Sequence, residues 1–445
     1  MFHTICLHGT KEGIKRMKVL VVGGGGREHA IVKKLKESPL CTELWAAPGN
    51  GGISCDAKCK NIPATDIEAQ VAFAREEGFD YVVVAPDDPL ALGLVDRLAE
   101  AGIPAFGPSA AAARIEASKV FSKDLMKKYG IPTAKYEVFT EADAAMDYIR
   151  AEGSYPVVIK ADGLALGKGV LICGNEAEAE TALHEMIDEK KFGASGTRVV
   201  VEEFLTGPEV SVLAFADGET LKPMVSSMDH KRALDGDEGL NTGGMGTIAP
   251  NPCYTPEVAE ECRKQIFEPT MKAMQAEGCP FKGCLYFGLM ITPKGPRVIE
   301  YNCRFGDPET QVVLPLLDSD LLQIMLACTN GTLADTEVKF KNESAACVIL
   351  ASGGYPEHYE KGKEITGLEN GQVPGSDVVV YHAGTAEKDG KLVTSGGRVL
   401  GVSATAPTLE KALEKAYAAS EQIYFDKLHK RADIGRRALN ALKGE

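Results

Sequence analysis

Nowhere in the 445 residues do 18 apolar residues follow one another, so the sequence offers no transmembrane helix. The opening stretch Met1 to Arg16 lacks a signal-peptide core, because Lys11, Glu12, Lys15 and Arg16 interrupt it. No Cys-x-x-Cys pair occurs among the 12 cysteines. The most closely spaced two, Cys55 and Cys59, have neither a second pair nor a nearby histidine, which favours scattered reduced thiols over a zinc site or a disulfide framework. Basic charge is also short. The 49 Lys and Arg against 63 Asp and Glu leave a net charge of −14, which argues against a protein built to grip nucleic acid. A small phosphorylated substrate in a local positive pocket stays open. Internal repeats and low-complexity segments are missing too. The composition is that of globular proteins, 44% hydrophobic and 25% charged. The expectation is a cytoplasmic, multidomain protein with no membrane or nucleic-acid partner, of about three domains.

Met17 to Val22 runs into four glycines and reads as a natural first strand, which makes residues 1–16 an added piece. Lys11-Glu12-Gly13 can be encoded as AAGGAGG, a ribosome-binding sequence a short distance before Met17, so Met17 is the expected cellular start. Peptides from residues 1–16 in mass spectra of the native protein would refute it.

From Met17 onward, short β-branched runs (Val19–Val22, Glu43–Ala46, Tyr81–Val84) alternate with amphipathic stretches at Glu28–Lys36 and Ile67–Glu77, and Ile103–Phe106 follows as a turn. That alternation predicts a parallel sheet covered by helices on both faces, ending near Pro108. A helix is predicted over Ala110–Tyr129, then strands at Val157–Lys160, Val170–Cys173, Arg198–Glu202 and Val210–Ala216. A long glycine-rich loop, Asp235–Gly246, precedes a helix at Pro256–Gln275 and strands at Tyr286–Ile291 and Arg297–Tyr301. The tail carries strands at Ala345–Leu350, Val378–Ala383 and Arg398–Thr405, then a final helix.

Three glycine-rich or polar segments carry chemistry. GGGGREHA, from Gly23, sits between a strand and a helix, where glycines let amides approach an anion. A dinucleotide fingerprint fails there, since its third glycine position falls on Glu28 or His29. A phosphate contact and a ligand-free tight turn remain, and His29 reads as structural. ADGLALGKG, from Ala161, lies between two strands, so it is a hairpin flap and no Walker A loop; with Lys160 and Lys168 it suits the phosphates of ATP, against a bland surface hairpin. VVVEEFLTGPE, from Val199, offers an adenine edge and, in Glu209, a ribose ligand; a solvated acidic loop is the alternative. In RVIEYNCRFGDPETQ, Glu300 and Asn302 project from one strand face. A carboxylate and an amide oxygen, completed by water and phosphate, suit Mg²⁺, with Arg304 expected on the same face to stabilise a transferring phosphoryl group or an oxyanion. A buried polar strand without metal is the alternative.

Lys-flap-Lys, then EEFL with a later Glu, then Glu-x-Asn resembles the ATP-grasp superfamily. Within it the chain is similar to the phosphoribosylamine–glycine ligase family of purine biosynthesis. The ordered matches GGGGREHA, GPSAAAARIEASK, KADGLALGKGV, EEFLTGPE, DHKRALDGDEGLNTGGMG, EYNCRFGDPETQ, SGGYPEHYEKG and DIGRRAL carry it from Met17 to about Leu439. The resemblance implies an N-terminal α/β domain over 17–118, an ATP-grasp domain over 119–334 with a lid at about 131–205, and a mixed α+β C-terminal domain over 335–445. It implies ATP as co-substrate with Mg²⁺ or Mn²⁺, glycine and 5-phosphoribosylamine as substrates, and a monomer. The ATP phosphates fall to Lys119, Lys160, Gly163, Gly167, Lys168 and Gly169, adenine to Glu202, Glu203 and Leu205, ribose to Glu209, and the metal to Glu300 and Asn302. Asp229, Lys231 and Arg304 are the catalytic candidates, with Asp229 or His230 as a proton acceptor. Gly24, Gly25, Arg27, Glu28, Asp87, Asn241, Thr242, Gly243 and Asp307 line the substrate side. One departure stands out: where the family has Gly-Pro-Glu-Ala-Pro-Leu, this chain has Ala85-Pro86-Asp87-Asp88-Pro89-Leu90, one methylene shorter at the carboxylate. Rival readings are another ATP-grasp ligase, an NAD-dependent oxidoreductase resting on the first loop alone, and a nucleotide sensor without turnover.

Overall fold

The protein is described by a computed structural model over residues 16–164, 169–191 and 193–444. The expected N-terminal unit is a five-stranded, all-parallel sheet in the order Lys58–Cys59, Cys41–Pro48, Met17–Gly23, Tyr81–Val84, Ala105–Phe106. Both faces are covered: Val19, Val21, Tyr81 and Val83 pack on one side, and Leu20, Val22, Val82 and Val84 on the other. The segment predicted as a turn at Ile103–Phe106 ends in the short edge strand. Strand order reverses between Met17–Gly23 and Tyr81–Val84, so the loops after these two strands open into one crevice. The helix Gly26–Lys36 starts there, its first turn closed by the Glu28 carboxylate on the Gly25 amide at 2.5 Å. Gly24 has to be glycine, since a Cβ would lie 2.4 Å from the Gly49 carbonyl oxygen.

The helix predicted over Ala110–Tyr129 is two helices, Ala110–Ala117 and Lys119–Tyr129, broken at an extended Ser118. The break has a local part, Ser118 Oγ accepting the Phe121 amide at 3.1 Å, and a tertiary one. The Asp162 carboxylate accepts from Ser118 Oγ and the Val120 amide, both at 2.9 Å, and so caps the second helix from another part of the chain. Lys119 thereby becomes the first residue of a helix beside the flap.

The segment expected as a lid is a four-stranded antiparallel sheet, ordered Tyr136–Phe139, Val199–Glu203, Val157–Ala161, Val170–Cys173, with its own core of Met146, Ile149, Ile159, Leu183 and Val201. A second antiparallel sheet runs Leu221–Pro223, Glu209–Asp217, Lys282–Thr292, Gly295–Asn302. The third sheet mixes distant parts of the chain. Met228–Asp229 and Gly246–Ala249, expected within the central domain, pair into it beside Ser344–Ser352, Arg398–Ala406 and Val379–His382. The segment read as one long loop, Asp235–Gly246, instead contains the strand Glu238–Asn241, hydrogen-bonded to Arg232–Leu234. Residues 1–15, on which the start-site expectation falls, lie outside the described residues, as do the flap residues Gly167 and Lys168. The eleven described cysteines are free thiols. Among the described residues no helix is long and apolar enough to cross a membrane.

Buried histidines tie these parts together. His29 Nε2 lies 3.0 Å from Asp56, while its Nδ1 accepts the His382 amide at 2.7 Å. His382 itself contacts Thr385 Oγ1 and donates through Nε2 to the Gly371 carbonyl at 2.8 Å. Burial holds His382 down to about 3 and His230 down to about 4. Both are thus neutral when folded and protonate more readily unfolded, near 6.5. Their stability contribution is complete above that value and is lost as pH falls through 6.5 towards 4, by about 1.4 kcal/mol per pH unit for each histidine. Melting temperatures at pH 7.5, 5.5 and 4.5 should therefore drop steeply, and less so in His382→Gln. Equal slopes in the two proteins would count against this assignment.

Candidate active site

The residues expected to hold ATP come together where the lid segment's sheet meets the central one, with Lys160 reaching Ile299. Lys160, near the end of Val157–Ala161, places Nζ 3.0 Å from Glu202 Oε1 and donates to the Ile299 carbonyl at 3.1 Å. Glu202 sits on the neighbouring strand in diagonal register. A second lysine, Lys123 from the helix Lys119–Tyr129, reaches Glu202 Oε2 at 3.0 Å and Thr133 Oγ1 at 2.7 Å. Burial lowers Lys123 to about 8 even with Glu202 pulling the other way. The Glu202 carboxylate, expected at adenine, is thus held between two ammonium groups. The Glu203 amide donates to the Lys135 carbonyl at 2.9 Å. Lys119 Nζ donates to the Gly163 carbonyl at 3.2 Å, and burial lowers its pKa. The flap hairpin is closed at its base by the Ala161 amide on the Gly169 carbonyl, 2.8 Å.

Glu300 is the electrostatic focus. Its strand pairs Gly288 with Glu300 and Tyr286 with Asn302, which puts both side chains on one face as predicted. Burial works to raise the Glu300 pKa, but Lys231, Lys160, Lys119 and Arg304 outweigh it and hold the carboxylate ionised. Lys231 Nζ lies 3.9 Å from Glu300 and 3.5 Å from Glu209, at the start of the strand Glu209–Asp217, one strand removed from that of Glu300. Arg304 departs from the sequence expectation. The strand ends at Asn302, the Cys303 amide turns to Glu116 Oε2 at 2.7 Å, and Arg304 Nη2 meets Glu116 Oε1 at 2.9 Å. Arg304 therefore lies beyond the strand and is oriented by a carboxylate from the helix Ala110–Ala117.

The two donors fit a hard divalent cation. Glu300 and Asn302 supply only oxygen, and among the described residues no group of three or more His, Cys, Asp and Glu is gathered to hold an ion. Such a pair would need phosphate and water to complete a shell, which is how Mg²⁺ is ordinarily held.

The other half lies in the crevice of the parallel sheet. Arg27 Nη1 donates to the Ala85 carbonyl at 3.1 Å, and the Arg27 amide to Asp307 Oδ2 at 3.3 Å. Gly25, Arg27 and Asp307 thus meet although 280 residues separate the last two, while Gly24 lies against Gly49. Glu28 is turned inward as the helix cap. Asp87 is pushed up by burial but pulled down further by Arg304 and Arg27, so its carboxylate stays ionised between two guanidiniums. The Nε atoms of Arg27 and Arg304 are buried without a hydrogen-bond partner, two donors available to an anion.

Asp229 is raised by burial and by Glu309, with Lys231 opposing. His230 is committed elsewhere: Nδ1 donates to the Gly246 carbonyl and Nε2 accepts the Gly435 amide, each at 3.1 Å, so it is structural. Thr242 anchors its loop to the Lys231 carbonyl at 2.8 Å, whereas Asn241 stands exposed in the hairpin. Sequence reasoning missed Glu116, Lys123, Glu309 and Arg398. Glu116 and Glu309 lay inside quoted motifs, and Tyr286 Oη donates to Glu309 at 3.1 Å; Lys123 and Arg398 had no local signal.

Comparisons with known proteins bear on the family. Family models described as phosphoribosylglycinamide synthetase match throughout: the N domain over residues 17–116, the ATP-grasp (A) domain over 117–310 and the C domain over 345–437. A phosphoribosylamine–glycine ligase of Allochromatium vinosum is 47% identical over 426 residues, 95% of this chain and 99% of that protein. The ligase of Agrobacterium fabrum is 48% identical over 423 residues, again 95% and 99%. This chain spans 54% of a bifunctional purine biosynthetic protein of Pichia angusta, at 48% identity. The crystal structure of phosphoribosylamine–glycine ligase from Thermotoga maritima superposes with a TM-score of 0.83 at 37% identity, covering 94% of this chain and all of that one (100%). With three domain models matched in order and relatives of this similarity along nearly its whole length, the chain belongs to the phosphoribosylglycinamide synthetase family.

Proposed function

We propose that the protein joins glycine to 5-phosphoribosylamine with ATP, forming glycinamide ribonucleotide, ADP and phosphate. The observation that carries this reading is the convergence of Lys119, Lys160, Lys231 and Arg304 around Glu300. A glycine carboxylate and a triphosphate repel each other, and such a cluster offsets that repulsion.

In this reading Lys119, Lys160 and the flap hold the phosphates, main chain near Glu203 and Leu205 meets adenine, and Glu209 meets the ribose. Glu300 and Asn302 would hold Mg²⁺ or Mn²⁺, which supplies charge neutralisation on the phosphates. A glycine carboxylate oxygen attacks the γ-phosphorus, the bond to the β-phosphate oxygen breaks, and ADP leaves. The amine nitrogen then attacks the carbonyl of glycyl phosphate and inorganic phosphate departs. The nitrogen loses one proton in that step, and Asp229, raised by burial, can accept it. Arg304, with Nε unpaired, steadies the oxyanion or the departing phosphate. The lid keeps water from the acyl phosphate. Arg27 and Asp87 face the phosphoribosyl half.

The test is ADP release from ATP, Mg²⁺ and glycine, with and without freshly prepared phosphoribosylamine. Release that needs both substrates, with the amide product in mass spectra, is the expected result. Release with some other acid or amine would discard the purine assignment and keep the ATP-grasp one. ATP binding without turnover of any pair would favour the sensor.

A further inference from the structure

Arg398 opens the strand Arg398–Ala406 in the C-terminal sheet, far in sequence from every motif that carries the reaction. Its guanidinium nevertheless spans the acceptor half of the site. Nη1 donates to the Gly243 carbonyl at 2.7 Å and to the Asp307 carbonyl at 2.8 Å, and lies 3.4 Å from the Asp307 carboxylate. One group thus ties the Asn241–Gly244 loop to the turn that carries Asp307. The Asp307 carboxylate is in turn bonded to the Arg27 amide and to Gln311 Nε2. The loop is held from its other side by Tyr355, whose Oη accepts the Gly243 amide at 3.0 Å. The residue types at the contact fit this arrangement. A Cβ on Gly243 would lie 3.0 Å from Arg398 Cζ, and one on Gly397 would lie 2.2 Å from the Tyr355 ring. Arg398 also acts electrostatically on both carboxylates, pulling Asp307 down and countering the rise of Asp229.

We infer that Arg398 is a positioning residue for the acylation half-reaction. Through Gly243 and Asp307 it sets the spacing between the loop that receives glycyl phosphate and the crevice that presents the amine. The C-terminal domain is then a working part of the active site. This inference rests on the ligase reading above. Arg398 touches none of the groups assigned to ATP, so its loss should leave phosphorylation of glycine running while the amine arrives misplaced. Water then attacks the glycyl phosphate carbonyl, returning glycine and phosphate, and the net reaction becomes ATP hydrolysis.

The experiment compares wild type, Arg398→Met, Arg398→Lys and Gly243→Ala. It measures KM for each of the three substrates and the ratio of phosphate to amide formed. For Arg398→Met we expect the KM for phosphoribosylamine to rise between about tenfold and a hundredfold, since small misplacements near a reacting centre cost that much. The KM for ATP should stay within about twofold, and more than one phosphate should form per amide. Methylguanidinium in the assay should restore part of the coupling. Gly243→Ala keeps Arg398 but pushes the loop off it, so it should reproduce the split even if Arg398→Met folds poorly. Equal changes for all three substrates in both variants, or a phosphate-to-amide ratio of one throughout, would overturn the inference. A wild type that makes no amide would instead overturn the ligase reading.

Discussion

Glu300→Ala combined with Asn302→Ala should abolish Mg²⁺-dependent ATP turnover, by on the order of a thousandfold or more. Two effects add. The substitutions remove both oxygen donors from that strand face, and they take from Lys119, Lys160, Lys231 and Arg304 the carboxylate they share, leaving Glu202, Glu209 and Glu116 as the remaining counter-charges. Some loss of stability should follow from that repulsion. Glu300→Gln, which keeps the shape and removes only the charge, separates shape from charge. Mn²⁺ titration followed by electron paramagnetic resonance, in the presence of ATP, reads the metal directly. Retained activity with unchanged Mn²⁺ binding would remove the metal assignment.

Arg304→Met should be the most damaging single change, because it strikes folding and turnover together. Glu116 is buried against Arg304 at 2.9 Å, and Asp87 owes its lowered pKa to Arg304 first and Arg27 second, once burial is overcome. Removing one member of a buried ion pair leaves its partner uncompensated and costs about 3–5 kcal/mol. Glu116 then takes up a proton, as its raised pKa already favours. Turnover should fall by about a hundredfold to a thousandfold, the usual effect of losing one donor aimed at developing charge. Arg304→Lys should recover much of the stability but little of the turnover, since an ammonium cannot serve Glu116 and an anion with the same fork. Denaturant unfolding and steady-state kinetics on both variants decide it. Equal recovery of both properties in Arg304→Lys would mean that Arg304 acts as a point charge alone.

Much of this protein is legible in its sequence because the relevant signals are local. The parallel N-terminal sheet follows from runs such as Val19–Val22 and Tyr81–Val84, in which both strand faces are apolar. Glu300 and Asn302 share a face because side chains on a strand alternate with period two. The flap is recognisable because glycines between two strands with a lysine among them have few other uses.

What failed were readings that treated a stretch of chain in isolation. The helix over Ala110–Tyr129 has a continuous apolar pattern, yet it breaks at Ser118, which caps the second half itself and is held there by Asp162. The Asp235–Gly246 loop looks structureless by composition. It folds as a hairpin because Arg431 and Asp433 grip it, through Asp237 at 2.9 Å and the Gly236 amide at 2.8 Å. Arg304 was placed on a strand that ends two residues earlier, because nothing nearby announces Glu116. His230 sits beside Asp229 in sequence, but burial and two hydrogen bonds commit it to structure.

By itself, then, the sequence determined the class of chemistry: the parallel sheet, the phosphate flap, the strand with its two oxygen donors, and the motif order that marks the family. Tertiary structure alone decided which charges face one another. Lys123 on Glu202, Arg304 on Glu116, and Arg398 across Gly243 and Asp307 each join residues that no periodicity relates. The reason is physical. Strand and helix preferences act over a few residues, whereas the pairing of buried charges depends on the low-dielectric space formed only when separate sheets close on one another.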